Sequence, residues 1–157
     1  MITVKLMSRF PADEWRRYFP GQEPVWGNCR FVFDNEARDY DWLVVYDDLP
    51  PAQGERRSMR VESLAGAALN TLLVTTEPSS IKVYGRAFCA QFGHVLTSQE
   101  PWALRHPRRI YSQPALHWFY GAGGGHYRSI DEMRAQPPLA KTADLSTVGS
   151  NKQQTHT

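Results

Sequence analysis

Trp42-Leu-Val-Val-Tyr46 is apolar at every position, and Thr71-Leu-Leu-Val-Thr75 is a similar run with threonine at both ends. A run without polar alternation is typical of a strand that is covered on both faces, as in a parallel sheet under helices. The other predicted strands are Ile2–Met7, Arg30–Asp34, His94–Thr97, Leu116–Tyr120 and Leu145–Val148. Together these runs predict a buried sheet.

Helices are predicted between the strands. The strongest prediction is Ser79–Phe92, which Ser79 or Ser80 can cap, whose apolar residues recur at helical spacing, and which Gly93 ends. Ala12–Tyr18 begins with acidic residues that suit the positive end of a helix. The remaining two predicted helices are Val61–Leu69 and Ser129–Ala135. Alternating strands and helices predict an α/β fold in layers with a mostly parallel sheet.

The composition indicates one ordinary globular domain. The 157 residues suffice for one core, and 41% of them are apolar and 22% charged. The formal net charge of +2 gives no electrostatic reason to expect binding to nucleic acid or to an acidic membrane.

The cysteines and the start of the chain predict a cytoplasmic protein. Cys29 and Cys89 are far apart in sequence and are expected to be reduced, packed thiols, with a single disulfide as the less favoured alternative. No apolar run reaches the roughly 18–20 residues that span a bilayer, so no transmembrane segment is expected. Met1–Ser8 is typical of a first strand rather than of a signal peptide.

Glu77 is the carboxylate whose position best suits chemistry. It follows the strand Thr71–Thr75 and precedes Pro78. Open α/β sheets bind ligands outside the carboxyl ends of their strands. A carboxylate there can accept a proton from a substrate hydroxyl as a general base. The alternative is an acid at a helix start that only favours the helix dipole, and position alone favours this alternative.

Two other acidic motifs are weaker candidates. Asp39-Tyr40-Asp41 has a spacing that can hold a divalent metal on a nucleotide diphosphate. It precedes its strand, however, so we expect it at the opposite edge of the sheet, as a solvated strand entry. Asp47-Asp48 follows the same strand and is a candidate for the rim of a site, with turn residues before Pro50-Pro51 as an equal alternative.

Two further motifs are assigned to loops. The glycine-rich segment Gly121–His126 has no Lys-Ser/Thr pair and no helix behind it, which favours a flexible loop over a phosphate-binding one. The basic cluster Arg105–Arg109 lies beside Trp102, and basic residues interleaved with aromatic ones can bind nucleic acid strands. The near-neutral chain favours a local surface loop instead.

Four motifs occur in a distinctive order. They are Leu72-Leu-Val-Thr-Thr-Glu77-Pro-Ser-Ser, Tyr84-Gly-Arg-Ala-Phe88, His94-Val-Leu-Thr-Ser-Gln-Glu100 and Trp118-Phe-Tyr-Gly121. Together they resemble the bacterial glycosyltransferases of family 10, the fucosyltransferase-like group. In that family an apolar strand leads to a Glu with a Ser/Pro pair, then to a helix, a strand and a Tyr-Gly segment. The resemblance spans residues 40–157.

This resemblance implies the GT-B arrangement, in which two Rossmann-like three-layer domains face each other. The first domain receives the acceptor glycan and the second binds a GDP-sugar as co-substrate. The family's Glu is regarded as the base that deprotonates the acceptor hydroxyl, and that role falls on Glu77. The reaction implied is inverting transfer, with fucose inferred from the family alone. Basic side chains and helix dipoles stabilise the leaving diphosphate, so neither a metal site nor a cofactor is expected.

The same resemblance implies a division of the chain. Residues 1–138 are expected to form the acceptor-side domain, and residues 139–157 a linker and the first elements of the donor-binding domain. Ala143–Lys152 resembles the opening strand of that domain, whereas the family's donor-binding lysine has no counterpart. We therefore expect that the chain alone does not transfer sugar.

Two alternatives stay open. The first is a non-catalytic glycan-binding module, in which Trp102, Trp118 and Tyr120 bind the substrate by stacking on sugar faces. Core packing is the favoured explanation for such aromatic residues. The second alternative is an inactive remnant, because the strand Leu145–Val148 expects a partner sheet.

Overall fold

A mostly parallel sheet lies at the centre of the protein. The structure is a computed structural model and describes residues 1–52, 54–56, 60–115, 122–123, 126–138 and 140–145. Its strands are β1 (Ile2–Met7), β2 (Val25–Trp26), β3 (Cys29–Val32), β4 (Trp42–Tyr46), β5 (Thr71–Val74), β6 (His94–Thr97), β7 (Arg109–Tyr111), β8 (Ala122–Gly123) and β9 (His126–Tyr127). Its α-helices are α1 (Ala12–Arg16), α2 (Arg86–Cys89) and α3 (Ile130–Ala135).

The order of the strands reverses next to β1. Within the described residues, seven strands form one sheet in the order β2-β3-β1-β4-β5-β6-β7, and β8 pairs with β9. All neighbours in the large sheet are parallel except β2 and β3. The chain builds β3 on one side of β1 and then crosses to build β4 on the other side. Open α/β sheets bind ligands outside the carboxyl ends of the strands where the order reverses in this way.

Apolar side chains cover both faces of the sheet. On one face, β4, β5 and β6 pack beneath α2 and its neighbouring loops through Leu43, Val45, Leu73, Val95, Cys89 and Phe92. On the other face, Leu6, Tyr46 and Val74 pack with the half-buried Trp15 of α1. Full burial of a side chain such as Val45 or Leu73 stabilises a fold by about 1.5–3 kcal/mol. The predicted layered α/β fold is confirmed.

The predicted helix Ser79–Phe92 is wrong over most of its length, because α-helix is confined to Arg86–Cys89. The residues before Arg86 are held in a loop by hydrogen bonds to residues that are distant in sequence. The Ser79 hydroxyl donates to Glu100 at 2.7 Å instead of capping a helix. The carbonyl oxygen of Lys82 accepts a hydrogen bond from a side chain beyond β6. Tertiary hydrogen bonds therefore replace the local ones that a helix would have made.

Gly93 is explained by a close approach of two main-chain segments rather than by a helix end. A Cβ atom at this position would lie 2.5 Å from the carbonyl oxygen of Leu69. The Gly93 N–H also donates to the Thr71 hydroxyl at 2.7 Å. The amino ends of β5 and β6 can approach this closely because glycine has no side chain.

The predicted helix Val61–Leu69 is also wrong, and a short 3-10 turn at Ala68–Asn70 stands at its end. The side chains of Arg60 and Glu62 are only 7% and 5% exposed and face each other. Val61 between them is 89% exposed. Side chains that alternate between buried and exposed positions are typical of an extended chain.

The remaining helix predictions are confirmed in shorter form. Ala12–Tyr18 corresponds to α1, and Ser129–Ala135 to α3. The hydroxyl of Ser129 accepts from the Glu132 N–H while the Glu132 carboxylate accepts from the Ser129 N–H, which is a capping box.

Most strand predictions are confirmed as well. The predictions for β1, β4 and β6 match residue for residue, and those for β3 and β5 match within two residues. The short edge strands β2 and β7 were not predicted, nor was the β8–β9 hairpin, which occupies part of the predicted glycine loop. The predicted strand Leu116–Tyr120 lies outside the described residues, and Leu145, the described residue of Leu145–Val148, is not in a strand.

The sequence predicts that the protein has no transmembrane segment and that both of its cysteines are reduced thiols. In the described part of the chain, no helix combines the length and the apolar character that crossing a membrane requires. Cys29 and Cys89 are both free thiols. Burial raises the pKa of the Cys89 thiol, which suits a packed side chain.

Candidate functional site

Polar side chains gather where the parallel strands end. Because parallel strands have their carboxyl ends at one edge, the residues that follow β4, β5 and β6 come together there. We call this region the carboxyl edge. Its polar residues are Asp47 and Asp48 after β4, Thr76 and Glu77 after β5, and Ser98, Gln99 and Glu100 after β6.

Asp47 is the centre of a hydrogen-bond network at this edge. Its main chain has a φ of 66°, a left-handed conformation that Asp tolerates better than most residues. Its carboxylate accepts from the Thr76 hydroxyl and from the Lys82 ammonium, each at 3.0 Å. The Tyr84 hydroxyl also donates to Asp47 and accepts from the Thr76 N–H at 3.1 Å. One carboxylate thus joins β4 to the segment that follows β5.

The environment fixes the protonation of Asp47 and Tyr84. Burial alone raises the pKa of Asp47, but the hydrogen bonds from Tyr84 and Lys82 and the charge of Lys82 outweigh burial and hold the pKa below its usual value. Burial, and then the bond to Asp47, raise the pKa of Tyr84 to about 12. At neutral pH the carboxylate is therefore ionised and the phenol is protonated, so the pair acts as a fixed donor and acceptor.

Gln99 and Glu100 hold the loop that carries Glu77. The buried side-chain amide of Gln99 donates to the carbonyl oxygens of Glu77 and Lys82, each at 2.8 Å. Glu100 accepts from Ser79 at 2.7 Å. A main-chain N–H and this hydroxyl lower the pKa of the Glu100 carboxyl. These hydrogen bonds therefore anchor the loop at Glu77, Ser79 and Lys82.

Glu77 lies at the carboxyl edge, as predicted. No α-helix starts beside it, because α2 begins at Arg86, so the alternative of a helix-start acid is wrong. The residue is half-buried, and its carboxylate makes no hydrogen bond or ion pair with any described residue. The main chain of Glu77 is thus fixed while its carboxylate stays available to a ligand. Its role as a base stays a prediction.

Trp102, a predicted substrate-binding residue, is 70% exposed and lies beside the carboxyl edge. Together with Tyr84, Arg86 and Arg105 it lines a cavity of about 270 Å³. The structure therefore brings Trp102 close to the network through Tyr84. The other two predicted substrate-binding residues, Trp118 and Tyr120, lie outside the described residues.

Asp39-Tyr40-Asp41 lies at the opposite edge, as expected. The Asp41 carboxylate accepts from the Thr3 N–H at 2.7 Å, near the amino end of β1. Over the described ranges, no three or more His, Cys, Asp or Glu side chains come together in a way that could hold a metal ion.

Sequence reasoning missed four residues of the network: Thr76, Lys82, Tyr84 and Gln99. Tyr84 and Lys82 had been placed on the predicted helix Ser79–Phe92. Asp47 is 35 positions from Lys82, and no local pattern signals such a pairing. The one usable signal was the pair of acids directly after a buried strand.

The fold and this edge define an open α/β domain with a cluster of polar residues outside the carboxyl ends of its strands. Comparison with protein-family models, with curated proteins and with solved structures found no match to this chain. The function is therefore argued from the site itself and from the motifs.

Proposed function

We propose that this chain is the acceptor-side part of an inverting, GDP-sugar-dependent glycosyltransferase of the fucosyltransferase-like group, with Glu77 as the general base. The proposal rests on the hydrogen-bond partners of the Glu77 carboxylate and main chain. Its carboxylate has no partner among the described residues, while its main chain is held by Gln99 at 2.8 Å. A base needs an available carboxylate on a fixed support.

The chemistry asked of Glu77 is one proton transfer. The carboxylate takes the proton of an acceptor hydroxyl while that oxygen forms a bond to the anomeric carbon of the donor. The bond between the anomeric carbon and the diphosphate breaks, and the nucleoside diphosphate leaves with the electron pair. Attack opposite the leaving group inverts the anomeric configuration, so a single carboxylate suffices.

The other carboxylates of the edge are poorer bases. Asp47 accepts from three side chains, which lowers its pKa and occupies its lone pairs. Glu100 is engaged by Ser79, and its pKa is also lowered. A carboxylate that is already stabilised in its ionised form gains less from taking a proton. Glu77 is therefore the best candidate of the three.

The donor side of the proposal rests on the family resemblance alone. It assigns residues 1–138 to the acceptor side of a GT-B arrangement and leaves GDP-sugar binding to a second Rossmann-like domain. The cytoplasmic location is likewise a proposal from the sequence. Transfer is therefore to be measured with a donor-binding domain of the family joined after Lys152.

The test compares two glutamates of the same edge in that fusion. With GDP-fucose and acceptors that end in galactose or N-acetylglucosamine, Glu77→Gln should lower the transfer rate by about 100-fold or more, the usual contribution of a general base. Glu100→Gln removes a carboxylate that is occupied by Ser79 and should keep the rate within a few-fold. Full activity in Glu77→Gln would overturn the base assignment.

A second candidate function is glycan binding without catalysis, which the 70% exposure of Trp102 beside a cavity favours. Exposed indole rings stack well on the apolar faces of sugars. A glycan array probed with the chain would then give binding that Trp102→Ala abolishes and Glu77→Gln leaves unchanged. Transfer that depends on Glu77 would exclude this second candidate.

A further inference from the structure

A basic cavity lies beside α2, on the segment that connects β6 to β7. Its volume is about 530 Å³, within the range of small-molecule sites. Its lining residues are Arg86, Pro101, Leu104, Arg105, His106, Pro107 and Arg109. Three arginines thus line one cavity.

These three arginines have no side-chain partner within the described residues. None of Arg86, Arg105 and Arg109 forms a hydrogen bond or ion pair through its side chain with any described residue. Arg9 and Arg60, by contrast, pair with Asp48 and Glu36. The whole chain has a net charge of only +2, so three uncompensated positive charges in one cavity are a local concentration. Such a concentration attracts an anion with more than one negative charge.

His106 supports the segment that lines this cavity. Its Nδ1 accepts from the Arg108 N–H at 3.2 Å, and its Nε2 donates to the carbonyl oxygen of Phe92 at 3.0 Å. Both ring nitrogens are therefore used by the main chain. The ring fixes the path of the segment that carries Arg105 and Arg109.

An aromatic wall adjoins the basic cavity. The neighbouring cavity of about 270 Å³ shares Arg86, Leu104 and Arg105 with it and adds Trp102 and Tyr84. The exposed indole of Trp102 can stack on a ring of the ligand. The two cavities together suit a ligand with an anionic group at one end and a ring at the other.

We propose that the two cavities bind a phosphorylated small molecule, with its phosphate among Arg86, Arg105 and Arg109 and its ring against Trp102. Guanidinium forks match the tetrahedral oxygens of a phosphate in bidentate geometry, and a phosphate monoester brings close to two negative charges. The site does not use Glu77 and does not depend on the proposed transferase activity.

The first experiment titrates the whole chain, at low salt, with three probes by isothermal calorimetry. Phenyl phosphate should bind with a dissociation constant of about 1 mM or tighter, equivalent to roughly 4 kcal/mol. Methyl phosphate, which lacks the ring, should bind more weakly. Benzoate, which has the ring and a single charge, should bind weakest. No binding of phenyl phosphate, or benzoate binding equally well, would overturn the proposal.

The second experiment uses a matched pair of substitutions. Arg105→Gln should weaken phenyl phosphate binding about tenfold, the effect of roughly 1.4 kcal/mol. Arg108→Gln changes the net charge equally, but Arg108 is exposed and lines neither cavity, so affinity should stay within twofold. Equal losses in both variants would show a general charge effect and contradict the site.

Further variants test the two ends of the ligand separately. Trp102→Ala should reduce the affinity for phenyl phosphate to that for methyl phosphate, and an unchanged affinity would overturn the ring assignment. Arg86→Gln, also on an exposed side chain, repeats the phosphate test if Arg105→Gln does not fold by circular dichroism. Glu77→Gln should leave both affinities unchanged, which separates this site from the proposed transferase.

Discussion

Two clusters in this protein contain the same three groups, a lysine, a carboxylate and a tyrosine. In the inner cluster, Lys5 pairs with Glu62 at 2.7 Å beside Tyr40. In the edge cluster, Lys82 pairs with Asp47 at 3.0 Å beside Tyr84. In each, the lysine ammonium lies about 5 Å from the centre of the tyrosine ring, at 5.3 and 4.8 Å. In each, the tyrosine hydroxyl donates to the carboxylate.

What separates the two clusters is their access to water. The side chains of Lys5 and Glu62 are 0% and 5% exposed, whereas those of Lys82 and Asp47 are 34% and 32% exposed. A buried charge has no water to replace a lost partner, so the inner cluster must remain closed for the fold to survive. A half-exposed charge can exchange its partners for water or ligand. The same three groups therefore stabilise the fold in the inner cluster and form part of the candidate site in the edge cluster.

The largest effect is expected from breaking the inner pair. Lys5→Met removes the closest cation of the buried Glu62 carboxylate and leaves it Arg60 and Arg38, at 3.8 and 3.9 Å. Removing one partner of a buried pair costs about 3–5 kcal/mol, and the two remaining arginines place this change at the lower end of that range. Urea unfolding followed by tryptophan fluorescence measures the loss. The matched change Lys82→Met should cost less than about 1 kcal/mol, because exposed pairs contribute little. Equal losses would show that burial does not distinguish the clusters.

The two tyrosines should respond in the opposite order. Tyr84→Phe removes a hydrogen bond to an ionised carboxylate and the acceptor of the Thr76 N–H, which should cost about 2 kcal/mol. Tyr40→Phe removes longer contacts, which are 3.3 Å to Glu62, 3.5 Å to the Ser63 carbonyl and 3.3 Å from the Ala65 N–H, and should cost about 1 kcal/mol. The same unfolding measurement compares them. A larger loss of unfolding free energy in Tyr40→Phe would contradict this prediction, because it would show that the hydroxyl of the inner cluster makes the stronger contacts.

The pH dependence of stability should identify Asp47. Its pKa in the folded protein lies below the usual 3.8, so the unfolded state binds the proton more tightly. The stabilisation is therefore complete above that value and is lost as the pH falls through the lower folded pKa. Asp47→Asn should flatten the fall of the melting temperature between pH 5 and pH 2.

A control for this pH effect lies at the next position. Asp48 forms an ion pair with Arg9, at 3.1 Å on the surface, where the two side chains are 39% and 52% exposed, and it accepts from the Leu49 N–H. Asp48→Asn should therefore leave the acid limb of the melting curve unchanged. If Asp48→Asn flattens the curve as much as Asp47→Asn, the network around Asp47 is not its source.

The comparison of the clusters also shows what the sequence could predict. The strands β1, β4 and β6 were found because short runs rich in apolar residues need no information from elsewhere in the chain. The segment from Ser79 to Tyr84 was misjudged because its local spacing suits a helix. Gln99 and Asp47, which are distant in sequence, hold it in a loop.

The candidate site was likewise predicted only in part from the sequence. Glu77 was found from its place after an apolar strand, since a strand end is a local feature. The sequence could not predict that the Glu77 carboxylate has no partner among the described residues. This depends on Gln99, which donates to the main-chain carbonyl of Glu77 and not to its carboxylate. Arg105 and Arg109 were recognised as basic but assigned to a surface loop, because no sequence pattern shows that Arg86 faces the same cavity.

The smallest effect on stability is expected at Glu77, and that small effect is informative. A carboxylate without a partner contributes little, so Glu77→Gln should change the free energy of unfolding by less than about 0.5 kcal/mol. Glu100→Gln replaces the charged acceptor of the Ser79 hydroxyl with an amide oxygen and should cost slightly more. If Glu77→Gln were the more destabilising of the two, its carboxylate would have a structural partner and the argument for an available base would fail. A stable Glu77→Gln that has lost sugar transfer in the fusion would instead separate the carboxylate's chemistry from any part in the fold.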